Sequence, residues 1–225
     1  MLQADSRSEI KLPARTVREF ARSIKKAVNG ALDHWRYRVL VTRQVFPKPA
    51  RAILVVCKGN ICRSPLAEAY LKDRVKKNGV SIDVYSAGLE TSFGKPAHPL
   101  AQVVGNQGGL ALNQHATQPL HKEQVERADM ILVMEWRQRN RIIKLYPQAR
   151  PKVFLLRQFY DQSVREVADP YSGTLEDFQV CFSMIKEACD VLIARMLASK
   201  KRDSADGDKS GDNMHENGKG GSTST

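Results

Sequence analysis

The sequence has no apolar run long enough to cross a bilayer. Its longest runs, residues 52–57 and 130–134, fall far short of the roughly 20 residues a spanning helix needs. No early apolar stretch leads to a small-residue cleavage site, so nothing marks the chain for secretion. Cysteine is scarce: the four present lack metal-ligand spacing, which excludes a zinc-held framework. Free thiols suit a reducing compartment, and the expected location is cytoplasmic. Aromatic residues make up 7% of the chain, and only His34-Trp35-Arg36-Tyr37-Arg38 interleaves them with arginine. That run is short and matches no binding motif, so nucleic acid is not an expected partner. No internal repeat is present.

What the chain does have is enough apolar content, 42% of 225 residues, for one cored domain with appendages. The formal net charge of +12 is unevenly placed: residues 1–50 carry 11 Lys+Arg against 4 Asp+Glu. Within this basic segment, Val17, Phe20, Ala21, Ile24, Ala27, Val28, Ala31 and Leu32 recur at helical spacing while the cations fall mostly elsewhere on the wheel. A basic amphipathic helix over 15–32 has three readings. It packs on the main domain, lies on an anionic membrane surface as a peripheral contact, or holds a partner protein. Pro47 and Pro49 mark a linker. Past Ser199 the composition turns to Gly, Ser, Asp, Asn and Lys, which reads as a disordered tail. The expected organisation is a basic extension over 1–50, a catalytic domain over 51–198 and a tail over 199–225.

The informative stretch runs from Ile53 to Pro65. It reads as a buried strand, a tight loop with Cys57 and Arg63 six positions apart, and a helix opened by Ser64 and Pro65. A strand-to-helix turn leaves the first helical amides unpaired and aims the positive dipole end at the loop, which makes an anion site. Gly59 and Asn60 tolerate the left-handed backbone that curls successive N–H groups toward one centre. A thiol at Cys57, beside an arginine and a helix N-terminus, is favoured as thiolate. Arg63 offers a planar fork for two phosphoryl oxygens, and Ser64 can donate to the sulfur.

Strand and helix signals alternate along the rest of the chain. Strands are expected over 53–57, 80–86, 130–134 and 153–155, and helices over 64–77, 100–104, 135–145 and 175–198. This alternation predicts an α/β fold with a four-stranded parallel sheet and helices on both faces. The active loop would lie at the carboxyl end of the first strand. In the last helix Phe178, Phe182, Ile185, Cys189, Leu192 and Met196 share a side; Cys181 and Cys189 read as ordinary buried thiols. The long loop over 157–173 holds three carboxylates, Asp161, Glu166 and Asp169, and the residues alone do not choose among them.

The string from Cys57 to Pro65 resembles the signature of the low-molecular-weight protein-tyrosine phosphatases. Asp169-Pro170-Tyr171 is similar to that family's general-acid loop and Ser86-Ala87-Gly88 to its second-strand turn. The resemblance covers roughly residues 51–198. It implies a phosphotyrosine hydrolase with Cys57 as nucleophile, Arg63 as phosphate clamp and Asp169 as general acid and base. Lys58, Gly59, Asn60, Ile61, Cys62 and Arg63 would bind phosphate, Ser64 and His115 would support the loop, and Ile61 and Tyr171 would wall the phenyl ring. No metal or cofactor is needed, because arginine and amides neutralise the charge. Ile61 stands where the arginine-phosphatase branch typically carries threonine. Lys58, Ser172 and His98 depart from the common pattern, and Lys58 at the rim would favour acidic peptides. Cys62 is a buried spacer or a partner that forms a reversible disulfide with Cys57. The region resembling the bacterial branch implies a membrane tyrosine autokinase of capsule or exopolysaccharide export as the partner being reversed.

Two other functions compete. Thioredoxin-coupled arsenate reductase shares the loop, but its relay needs further cysteines downstream and none lies between Arg63 and Val180. A non-catalytic phosphotyrosine-binding scaffold would keep the pocket, yet Cys57, Arg63 and Asp169 are all present.

Overall fold

Ala52–Cys57 is a run of apolar residues, every one buried, and it forms the inner strand β1. Residues buried on both faces of a strand read as a continuous apolar run, as parallel sheets require. The computed structural model describes residues 50–160 and 165–208. The expectations for 1–49 and for 209–225 lie outside the described residues, as does Asp161.

From β1 the chain enters α1 (Arg63–Lys77) and returns as β2 (Asp83–Gly88). Then follow α2 (Pro99–Gln107), α3 (Lys122–Arg127), β3 (Met130–Val133), α4 (Trp136–Leu145), β4 (Val153–Leu155) and α5 (Leu175–Asp208). All strand pairs are parallel and the sheet order is β2-β1-β3-β4. The crossover from β1 to β2 runs one way along the sheet and that from β3 to β4 the other. Right-handed connections therefore put α1 and α4 on opposite faces. The α1 face is closed by α5, which packs on α1 and α2. The direction of progression reverses at β1, so the crevice opens at the carboxyl ends of β1 and β3.

The expected fold class is the one observed, with differences at element ends. The second strand begins at Asp83, three residues later than its alternation suggested, because residues 80–82 are spent leaving the helix. Gly79 takes φ +61°, and Val80 N–H closes the turn onto Val75 C=O at 3.1 Å. The helix α3 was not expected. Its six residues bury only Val125, too short a segment to show a period. The loop over 157–173 opens with a 3₁₀ turn, Leu156–Phe159. The helix expected to stop at Ala198 continues to Asp208, so the expected tail is helical over its first ten residues. Residues 199–208 carry no apolar stripe, so hydrophobic spacing gives no sign of the continuation. Phe178, Phe182, Ile185, Cys189, Leu192 and Met196 are all buried, as their spacing predicts.

Candidate active site

Asn60 is the hub of the bonds that hold the loop from Lys58 to Cys62 in shape. It has a left-handed backbone at φ +55°, is fully buried, and uses every polar atom it has. Its N–H donates to Cys57 Sγ at 3.2 Å, and its carbonyl accepts from His115 Nε2 at 2.7 Å, which fixes the proton on that ring nitrogen. Its Oδ1 accepts from Gln118 N–H at 2.9 Å, and its Nδ2 donates to Ser64 Oγ at 2.9 Å and Ser86 Oγ at 2.8 Å. Ser86 in turn donates to Glu68 at 2.5 Å. With an Asn60 N–H already donated to Ser64, the Ser64 hydroxyl hydrogen is left for Cys57 Sγ, 3.0 Å away. The end of β2 must come very close for this: a Cβ on Gly88 would lie 3.0 Å from Asn60 Cβ and 2.8 Å from Thr91 Cγ2. Asn60→Ala therefore breaks three side-chain bonds and leaves a non-glycine residue without polar compensation in a left-handed conformation. We expect a stability loss of about 2–4 kcal/mol, measured by denaturant unfolding; a loss under about 0.5 kcal/mol would contradict the network.

Cys57 is 2% exposed and sits at the end of β1, beneath a cavity of about 210 Å³. The cavity is lined by the loop, Arg63, Asp169 and Tyr171, with Glu90 at the side. No side chain caps the N-terminus of α1, and its first turn holds no acidic residue, so the helix dipole is left for a ligand. Among the described residues, the N–H groups of Gly59, Ile61 and Cys62 make no hydrogen bond. Burial pushes the Cys62 thiol up to about 12, and Cys57 and Asp169 push it the same way. Cys62 is thus protonated at neutral pH and no rival nucleophile.

Arg63 is buried to 1% exposure, which costs a cation heavily unless it is partnered. One Nη reaches Glu135 and, at 3.0 Å, the carbonyl of Val167; the other reaches Asp169 Oδ2 at 2.7 Å. Burial alone would weaken its charge, but Cys57, Glu135 and Asp169 outweigh it and hold the guanidinium pKa above its ordinary value. Its Nε is buried and has no hydrogen-bond partner among the described residues. Sequence reasoning missed Glu135, which lies 72 positions from Arg63 and carries no motif of its own.

Two of the three loop carboxylates, Glu166 and Asp169, are separated by position. Glu166 accepts the Trp136 N–H at 2.7 Å and caps α4, whereas Asp169 lines the cavity. The loop is pinned by Val167, which is fully buried and donates to Met134 C=O at 2.9 Å. Tyr171 stands 57% exposed at the cavity edge, braced edge-on by His98, which stacks on Phe178 and caps α2 by accepting Leu100 N–H at 3.2 Å. Ile61, partly buried, faces the same cavity, and Lys58 is exposed at its rim. Every expected site residue is therefore in the cavity wall or in the network behind it: Ser64 and His115 lie behind, and Asn60 belongs there too.

Residues 52–203 match the model of the low molecular weight phosphotyrosine protein phosphatase family. A probable low molecular weight protein-tyrosine-phosphatase, EpsP of Ralstonia nicotianae, is 38% identical over 148 residues, 66% of this chain and 97% of that protein. A protein-arginine-phosphatase of Bacillus subtilis is 32% identical over 151 residues, 67% of this chain and 97% of that one. The crystal structure of the tyrosine phosphatase AmsI of Erwinia amylovora superposes with a TM-score of 0.61 at 32% identity, over 65% of this chain and 93% of its own.

Proposed function

Because the chain belongs to the low molecular weight phosphotyrosine protein phosphatase family, we propose that it hydrolyses phosphotyrosine in proteins through a phosphocysteine on Cys57. The observation that carries this reading is the convergence of Cys57, Arg63 and Asp169 on one cavity with Ile61 and Tyr171 in its wall. An apolar and aromatic wall above a buried nucleophile suits a long, flat phenyl ester and leaves a short phosphoserine out of reach.

In the first step the Cys57 thiolate attacks phosphorus in line. The bond from phosphorus to the tyrosine oxygen breaks, and Asp169 gives its proton to the departing oxygen. In the resting protein Asp169 is bound to Arg63 as a carboxylate. An arriving phosphoryl group takes over the guanidinium through its unpaired Nε and the Nη that held Asp169, and the released carboxylate takes up a proton from water, which it then gives to the leaving oxygen. In the second step water attacks the phosphocysteine, Asp169 takes its proton, and the phosphorus–sulfur bond breaks to return the thiolate and inorganic phosphate. Loop amides and Arg63 meet the equatorial oxygens throughout, donors fixed before the charge develops. Ser64, its oxygen already accepting from Asn60, steadies the sulfur as nucleophile and as leaving group.

The proposed partner is a membrane tyrosine autokinase of capsule or exopolysaccharide export. Support comes from the similarity to EpsP and from the basic pattern of residues 15–32, which would keep the enzyme near an anionic membrane. No helix among the described residues is long and apolar enough to cross a membrane. The deciding assay is phosphate release from matched peptides phosphorylated on tyrosine, serine or arginine. We expect tyrosine to lead by at least about tenfold in kcat/KM, the scale set by apolar pocket contacts. A lead for phosphoarginine would assign the chain to its other relatives.

A further inference from the structure

Beside the catalytic cavity lies a second one of about 210 Å³, which shares Lys58 and Glu90 with it and is otherwise built by α4 and Leu89. Its charges are three cations, Lys58, Arg137 and Arg141, and two carboxylates, Glu90 and Glu135. Glu135 is committed to Arg63 and receives Gln138 Nε2 at 3.1 Å, so it offers little to this groove. Glu90 is left to serve two cations: Lys58 Nζ at 3.8 Å and Arg141. Arg137 has no carboxylate partner among the described residues and is exposed.

The arginines are badly placed for the helix that carries them. Arg137 occupies the first turn of α4, where the dipole disfavours a cation, and the carboxylates at that end, Glu135 and Glu166, are taken by Arg63 and by the Trp136 N–H. Arg141 follows four residues later on the same face, where like charges repel. Helix stability therefore does not explain either. Glu90 is tethered at the wall between the two cavities, its N–H donating to Lys58 C=O at 2.8 Å. Its carboxylate sits where an anion carried by the substrate would sit.

We propose that Lys58, Arg137 and Arg141 form a second anion subsite, which takes a carboxylate or a second phosphoryl group on the substrate chain next to the phosphorylated side chain being hydrolysed. This rests on the phosphatase reading above. Glu90 is the internal stand-in: it yields Arg141 to the incoming anion, and since the pairs it gives up are half-exposed, the exchange costs little. Arg137 then gains the counter-charge it lacks. A substrate with one phosphate and neutral neighbours fills only the catalytic cavity.

The test compares the unsubstituted protein with Arg137→Ala/Arg141→Ala on four substrates: para-nitrophenyl phosphate, a neutral-flanked phosphotyrosine peptide, an Asp/Glu-flanked one, and one with two adjacent phosphotyrosines. The expected result is a roughly tenfold rise in KM for one or both anionic peptides, as two exposed charge pairs would give, with kcat unchanged. KM for para-nitrophenyl phosphate and the neutral peptide stays put. Which anionic peptide responds identifies the source of the anion. Arg137→Glu, a single change at an exposed position, should reproduce the effect if the double variant is unstable. An equal change on all four substrates, or none on either anionic peptide, overturns the subsite. Absence of turnover of para-nitrophenyl phosphate by the unsubstituted protein overturns the phosphatase reading itself, and the subsite with it.

Discussion

Cys57→Ser is expected to lower kcat for para-nitrophenyl phosphate by about 10⁴-fold or more, the scale of removing a covalent nucleophile whose partners act as a unit with it. The reason lies in what serine cannot become. The sulfur at this site accepts the Asn60 N–H at 3.2 Å and lies 3.0 Å from the Ser64 hydroxyl. A hydroxyl ionises far less readily, and among the described residues no carboxylate or imidazole is hydrogen-bonded to this position to take its proton. Asn60 and Ser64 remain to bond the serine oxygen, so the variant should fold and still bind phosphate. Retained phosphate binding with lost turnover, read by calorimetry and steady-state kinetics together, separates a catalyst from a scaffold. Turnover within tenfold of the unsubstituted protein would mean that another group attacks phosphorus.

Asp169→Asn should divide substrates by leaving group. Phosphotyrosine departs as a basic phenolate and needs its proton in the transition state, so kcat should fall by roughly 10²–10⁴-fold, the usual contribution of a placed general acid. Para-nitrophenolate leaves readily as an anion, and its first step should suffer far less. The substitution also removes one carboxylate partner of Arg63 but leaves Glu135 and the Val167 carbonyl in place. The guanidinium should therefore stay where it is, and phosphate affinity should change little. Equal losses on both substrates would remove Asp169 from the proton-transfer role. Of the two competing carboxylates, Glu166 is engaged at the start of α4, so Glu166→Gln should not reproduce this leaving-group pattern.

Much of this was legible before the fold was known, because much of it is local. The phosphate loop is a contiguous string, and the strand before it and helix after it are marked by an apolar run and by helical spacing. Asn60 was recognisable as the residue that tolerates left-handed backbone, but not as the hub of a network. Its partners Ser86, His115 and Gln118 come from 26, 55 and 58 positions away. Element ends were less legible. Residues 80–82 look like strand but serve as the exit from α1, since alternation cannot distinguish the two over three residues. The extension of α5 past Ala198 was hidden for a related reason: its residues carry no apolar pattern.

What the sequence determined by itself was the chemistry available: a thiol and a guanidinium flanking a loop of five residues, and a carboxylate on a later loop. Their nearness in sequence makes the pairing readable without tertiary information, once a strand-to-helix turn is recognised between them. Only the folded sheet decided the rest. Parallel order β2-β1-β3-β4 sets the carboxyl ends of β1 and β3 side by side, and this seats Glu135 against Arg63 and Val167 against Met134. It also selects Asp169 over Glu166 and gathers Arg137 and Arg141 at the rim. Those pairings span scores of residues, and their cost in chain entropy is met by burying the sheet rather than by any local preference. That is why no stretch of sequence announces them.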